Sequence, residues 1–306
     1  MKMQKRFSKK GSGVSRRIFG LVLVVILLLG GSYFYLWLKE NFSSVYNSEI
    51  VSTSITPSIS ESIKTTETAE IDNFIDEKIF GYTSSGREIP GYVIGSGENV
   101  IFLFGSIHGN EMGTADLLET LVDTIKTDNT LVSTDYTLVV IPIANPDGYY
   151  DRTDKLNANE VNLNLNFATS DWEQYGPEGT YAGDYAFSES ESQTIAKVVE
   201  DYDPVFMIAY HSYGNLVNPE CYHNPSQELA WWYAETTGYT YFDDDSWNYT
   251  GTATKWFVET TGNAAITVEL TDNSSSDWAT NKNALLALIG GSYYDWGNES
   301  VIYSEL

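Results

Sequence analysis

Val100-Ile101-Phe102-Leu103-Phe104-Gly105-Ser106-Ile107-His108-Gly109-Asn110-Glu111 is an unbroken apolar run that gives way to a polar turn. A short apolar run bounded by turn residues is the pattern of a strand buried on both faces. It predicts a strand over 99–104, followed by a loop carrying an imidazole and a carboxylate three residues apart. Beyond the loop, Leu117, Leu118, Leu121, Val122 and Ile125 recur at helical spacing. The same alternation continues along the chain. A second strand is expected over 136–143, ending in the turn Asn145-Pro146-Asp147-Gly148. Ser188 and Glu191 have capping-box spacing and predict a helix running to about Tyr202. A third strand is expected over 204–210, a helix over 227–237 stopped by Gly238, a fourth strand over 264–270 and a last helix over 281–289. Such alternation predicts an α/β domain with a mixed, mainly parallel sheet covered by helices on both faces.

The polar residues fall at one edge of that plan. His108 and Glu111 follow the first strand, Asn145 the second and His211 the third, while Glu269 ends the fourth. Open α/β sheets bind ligands outside the carboxyl ends of their strands. Two histidines, a glutamate and a water are a common catalytic zinc set. His108, Glu111 and His211 are therefore the candidate ligands of one Zn2+. Neutral imidazoles and one carboxylate leave a residual positive charge that polarises a carbonyl and acidifies water. A base must then move the water proton to the leaving group. Glu269, in Ile266-Thr267-Val268-Glu269-Leu270, is the candidate, because a carboxylate within an apolar strand is costly without a function or a partner. His223 has no motif around it and reads as a loop histidine.

The 306 residues have room for one large domain. The formal net charge is -25, from 42 acidic and 17 basic residues, and the basic ones are unevenly placed. Lys2, Lys5, Arg6, Lys9, Lys10, Arg16 and Arg17 crowd the first 17 positions without an acid among them. The remainder repels nucleic acid, so no nucleic-acid partner is expected. Cys221 is the single cysteine, which excludes an intramolecular disulfide.

Residues 18–38 are uncharged and mostly apolar. As a helix they would span about 31 Å, enough to cross a bilayer core. The basic segment 1–17 before them orients the N-terminus to the cytoplasm, and Tyr33, Tyr35 and Trp37 suit the outer interface. We expect a single uncleaved transmembrane anchor over 18–38. A cleaved signal peptide is the alternative, although the run is long for one and no clear small-x-small site follows. Residues 39–70, rich in Ser, Thr and acids, read as a flexible stalk. The folded domain is then 71–306, facing the exterior of a bacterial cell.

With these motifs in order, the chain resembles the zinc carboxypeptidase family (funnelin-type metallocarboxypeptidases), especially bacterial members acting on cell-wall peptides. The resemblance runs from about Tyr82 to Asp272. It rests on Tyr82-Thr83-Ser84-Ser85-Gly86-Arg87-Glu88-Ile89, His108-Gly109-Asn110-Glu111, Asn145-Pro146-Asp147-Gly148, Phe187-Ser188-Glu189, His211-Ser212-Tyr213-Gly214 and Val268-Glu269-Leu270. It implies zinc held by His108, Glu111 and His211, Glu269 as base, and a peptide substrate, with a peptidoglycan stem peptide as candidate.

Three departures stand beside the matches. The family's substrate-binding stretch usually carries arginines; here it reads Lys155-Leu156-Asn157-Ala158-Asn159-Glu160-Val161-Asn162-Leu163-Asn164-Leu165-Asn166-Phe167. Leu165 replaces the Arg that, with Asn164, grips a terminal carboxylate. Leucine cannot make that bidentate pair. Lys155 falls where an Arg usually polarises the scissile carbonyl, keeping the charge without the fork. Asn162 replaces an Asp that orients a zinc-binding His. Lys255 and Arg152 are candidates to take over the carboxylate, and Tyr249 is the candidate for the family's mobile tyrosine. The expected function is zinc-dependent amide hydrolysis with Glu269 and Lys155 as catalytic groups. The alternative is a catalytically weak or inactive zinc-containing module that binds peptides or wall fragments.

Overall fold

In the computed structural model the described residues are 74–151, 155–220, 223–243 and 249–292. The expected anchor over 18–38, the stalk over 39–70, Arg152 and Cys221 lie outside them. Among the described residues no helix is long and apolar enough to cross a membrane.

The strands are β1 (Ile75–Tyr82), β2 (Glu88–Gly95), β3 (Asn99–Phe104), β4 (Tyr136–Ile141), β5 (Phe206–Ser212), β6 (Leu216–Pro219), β7 (Thr240–Tyr241) and β8 (Ala264–Leu270). The helices are α1 (Met112–Thr127), α2 (Pro146–Asp151), α3 (Ser190–Tyr202), α4 (Asn224–Thr237), α5 (Ala253–Thr261) and α6 (Trp278–Ile289). The strands form one sheet in the order β1-β2-β4-β3-β5-β8-β6-β7. Its centre, β4-β3-β5-β8, is parallel. Antiparallel pairs β1–β2, β2–β4 and β6–β8 flank that centre. The expected mixed, mainly parallel α/β architecture describes this sheet.

Strand alternation sorts the core into two layers. On β3, Ile101 and Leu103 face a cluster that includes Leu118 of α1, Tyr233 of α4 and Leu285 of α6. Val100, Phe102 and Phe104 face the other cluster, with Ile195 of α3 and Phe257 of α5. Both faces are therefore covered, which is why β3 reads as continuous apolar sequence rather than alternating sequence.

Several expected boundaries shift for identifiable reasons. β4 ends at Ile141, one residue before Pro142, which has no N–H to give the ladder. The expected strand over 204–210 is β5, displaced to Phe206–Ser212 because His211 and Ser212 continue the ladder against Glu269 and Leu270 of β8. The capping box does not form. α3 starts at Ser190 behind Glu189, while the Ser188 hydroxyl donates to Glu189 Oε1 instead of capping. α1, α4 and α6 begin earlier than their apolar spacing suggested. β1, β2, β6, β7, α2 and α5 were not expected, and the turn expected at Asn145-Pro146-Asp147-Gly148 is instead the start of α2. α5 is defined by Thr252, whose Oγ1 accepts from Lys255 N, and by Gly262, left-handed at φ 74°.

Candidate zinc centre and active-site cavity

The loop leaving β3 is shaped by its own side chains. Thr114, in the first turn of α1, accepts a hydrogen bond from Ser106 N at 2.7 Å and donates to Glu111 O at 2.7 Å. Gly109 sits so close to Gly148 that an added Cβ would lie 2.2 Å from its carbonyl carbon. Asn145 ties the two segments together: its Nδ2 donates to Ile107 O and Leu156 O, and its Oδ1 accepts from Gly148 N. The Asn145-Pro146-Asp147-Gly148 segment, which leads into α2, is thus structural. Asp147 in turn takes Arg87 Nε at 2.9 Å.

This scaffold brings His108, Glu111 and His211 together from two strand ends. Glu111 Oε1 lies 2.7 Å from His108 Nδ1, and Oε2 lies 3.1 Å from His211 Nδ1. The two Nδ1 atoms are 3.3 Å apart. A tetrahedral zinc with bonds of about 2.0–2.1 Å separates its nitrogen ligands by about 3.3 Å, so the donor set fits the ion. Glu111 is 5% exposed and His211 2%. Burial pushes the Glu111 carboxyl up, but the two imidazoles override it and hold the group at about 2.

Asn162 sets the tautomer of His108. Its Oδ1 accepts from Asn164 N at 3.1 Å, so the atom facing His108 Nε2 at 3.0 Å is an acceptor. Nε2 therefore carries the proton, and the Nδ1 lone pair is left for metal.

Glu269 stands beside this centre because β8 pairs with β5 in the register His211↔Glu269. Among the described residues nothing hydrogen-bonds its carboxylate. Burial pushes its carboxyl up, with His211, His108 and Lys155 pulling the other way and Glu111 reinforcing burial. Glu269, Lys155 and the three metal donors line one cavity of about 920 Å³. Among the described residues, His108, Glu111 and His211 are the group of three with metal-binding geometry.

The sequence model of zinc carboxypeptidases matches residues 62–296, more than half of the chain. The chain belongs to the zinc carboxypeptidase family. As a zinc carboxypeptidase it is a zinc-dependent metallopeptidase, and its His-Glu-His cluster is the metal site such an enzyme requires. No curated protein sequence matches it. Solved structures share the fold. Bovine thrombin-activatable fibrinolysis inhibitor, in complex with tick carboxypeptidase inhibitor, superposes with a TM-score of 0.63 at 18% identity, covering 78% of this chain and 96% of that one. The Helicoverpa armigera carboxypeptidase A gives 0.61 at 16% identity, covering 90% and 84%. The murein-tripeptide amidase MpaA of Escherichia coli O157 gives 0.54 at 20% identity, covering 73% and 93%.

Within this zinc carboxypeptidase the other expected site residues have distinct surroundings. Lys155 is exposed at the cavity wall. Asn164 lines the cavity, while its Oδ1 accepts from Ala253 N at 3.2 Å and so helps seat α5. Leu165 is buried and packed against Gly176, offering no donor. Lys255 lines the cavity but is not a free cation: its Nζ bonds Asp171 Oδ2 at 2.6 Å. A lysine paired in this way has less to offer a substrate carboxylate. Tyr249 lines the cavity and is 46% exposed. His223 precedes α4 and bonds Ser226 and Gly262, in keeping with a structural role. The acids Asp171, Glu173, Glu220 and Glu259 also line the cavity and were missed. In a chain with 42 acidic residues no spacing distinguishes them.

The Asn162 contact carries a prediction. Asn162→Ala is expected to weaken zinc binding by about 10–100-fold, the usual cost of losing the partner behind a ligand. Asn162→Asp restores the acceptor and is expected to recover most of that affinity. Competition with a zinc-chelating dye measures both.

Proposed function

We propose that this protein is a membrane-anchored zinc peptidase that hydrolyses amide bonds in peptides outside the cell, with bacterial cell-wall stem peptides as its substrate class. One observation carries the catalytic part: Glu269, unpartnered among the described residues, lies beside three converged metal donors at the wall of one cavity. Zinc, when bound, polarises the scissile carbonyl and acidifies a water. Glu269 takes the proton of the attacking water and passes it to the leaving amine. Lys155 places a positive charge where the carbonyl oxygen gains negative charge. Asn162 holds His108 in the tautomer that ligates. The anchor rests on the apolar segment 18–38 and its basic flank. The wall-peptide substrate is supported by that exterior location and by a murein-tripeptide amidase of the same fold.

Leu165 and the Lys255–Asp171 pair bear on where the peptide is cut. Neither supplies a free bidentate donor for a terminal carboxylate. Amidating the terminal carboxylate of a substrate is therefore expected to change kcat/KM by less than about tenfold, whereas loss of a charge-assisted hydrogen bond would cost at least that. A panel of matched free-acid and amidated peptides, including diaminopimelate-containing stems, tests this. Cleavage confined to free acids would assign the carboxylate to another cation. Zinc binding with no cleavage across the panel would favour the peptide-binding module instead.

A further inference from the structure

We propose that Glu220 recognises a positively charged group, an amine or a guanidinium, on a side chain of the peptide in the cavity. The proposal rests on the peptidase reading for the identity of the ligand and adds the side-chain class.

The topology sets Glu220 along the wall that starts at Glu269. β6 runs antiparallel to β8, with Glu269 opposite Leu216, Thr267 opposite Asn218 and Ile266 opposite Pro219. Two strand residues advance about 7 Å, so Thr267 and Asn218 lie one such step from the level of Glu269. Glu220, next after Pro219, extends this wall further from the metal centre. Thr267, Asn218, Pro219 and Glu220 all line the cavity. Across from them, α5 contributes Lys255, Val258 and Glu259, spaced three and four residues apart on one helical face.

The charges on these walls do not balance. Lys255 is engaged by Asp171 at 2.6 Å. Glu259 is satisfied by Ser170, accepting from its backbone N at 2.8 Å and its hydroxyl at 2.6 Å. Glu220 has no ion pair and no side-chain hydrogen bond with any described residue. Burial pushes its carboxyl up to about 7; Lys255 pulls it down, and Glu259 and Asp171 push it further up. Lys255, already paired with Asp171, leaves Glu220 without a counter-charge of its own among the described residues. A half-buried carboxylate in that position is costly until a cation reaches it. A basic side chain supplies a charge-assisted hydrogen bond. Val258, on the opposite wall, offers apolar surface to the aliphatic stem of such a side chain. An acidic side chain would add to the excess of carboxylates there.

The test is calorimetric binding of paired peptides, ending in lysine or norleucine, each as free acid and amide. The protein is the zinc-loaded full chain carrying Glu269→Gln, so that cleavage during the titration is slowed by about 10²–10⁴-fold. The lysine peptide is expected to bind at least about tenfold tighter than its norleucine twin. Adding Glu220→Gln is expected to bring the ratio close to one, and Glu220→Lys to reverse it in favour of a glutamate-ending peptide. Equal binding of lysine and norleucine peptides to the Glu220-containing protein would overturn the proposal without reference to any further variant. So would a preference that survives Glu220→Gln. Hydrolysis by the unsubstituted protein separates the two readings. Cleavage of both peptides without preference, alongside equal binding, sinks the role of Glu220 and leaves the peptidase standing. Selective binding with no cleavage of either does the reverse.

Discussion

Glu269→Gln is expected to lower kcat/KM for peptide hydrolysis by about 10²–10⁴-fold, the range contributed by a positioned proton-transfer group. Zinc should remain bound at one per chain. The two halves of that result belong together. Glu269 lies on β8 beside His211, but the ligand set is complete without it. Glutamine keeps the size of the side chain and its place in the strand while removing the ability to accept and return a proton. Nothing among the described residues depends on the Glu269 carboxylate for a hydrogen bond, so the fold should not register the change. A fall in kcat with little change in KM would mark a group that acts in the transition state rather than in binding. Near-unchanged turnover would show that the water is activated by another group and would remove Glu269 from the mechanism.

The second large effect is expected from His211→Ala. His211 is almost fully buried and touches both other donors, at 3.3 Å from His108 Nδ1 and 3.1 Å from Glu111 Oε2. Its loss leaves two donors, too few for a stable zinc site. Zinc affinity should fall by more than the roughly 10–100-fold caused by removing an outer partner such as Asn162. Hydrolysis should fall with it. Metal-linked stability should be lost as well: a ligand present at 1,000 times its Kd stabilises the folded state by about 4.1 kcal/mol. For a domain of this size that corresponds to a Tm difference on the order of 10 °C between zinc-loaded and chelated protein. Differential scanning calorimetry with and without zinc should give that difference in the unsubstituted protein and little of it in His211→Ala. An equal zinc-dependent shift in both would place the stabilising metal elsewhere.

The parts of this molecule that were legible in its sequence share a physical cause. β3 and β8 were read to the residue because strands covered on both faces are short apolar runs with clear ends. The centre was legible for a related reason. His108, Glu111, His211 and Glu269 follow or end such runs, and the carboxyl ends of parallel strands converge on one edge. Elsewhere that contrast is missing. β1, Ile75-Asp76-Glu77-Lys78-Ile79-Phe80-Gly81-Tyr82, is an edge strand with much of its length exposed, so it never forms an apolar run. β6 is four residues long and ends in Pro219. β5 was displaced because His211 and Ser212 look like loop residues until their pairing with β8 is known. Side-chain pairings distant in sequence were the least accessible. Lys255 is held by a carboxylate 84 positions away, which no local pattern reveals. Glu220 becomes notable only when the walls around it are assembled and its lack of a partner can be seen.

The most direct test of the central claim is a zinc titration of the chelated full-length protein, followed by peptide hydrolysis at each addition. The His108–Glu111–His211 centre predicts activity that rises in proportion to added zinc and stops rising at one equivalent per chain. Hydrolysis that is indifferent to zinc, or a protein that takes up no zinc at equivalence, would contradict it.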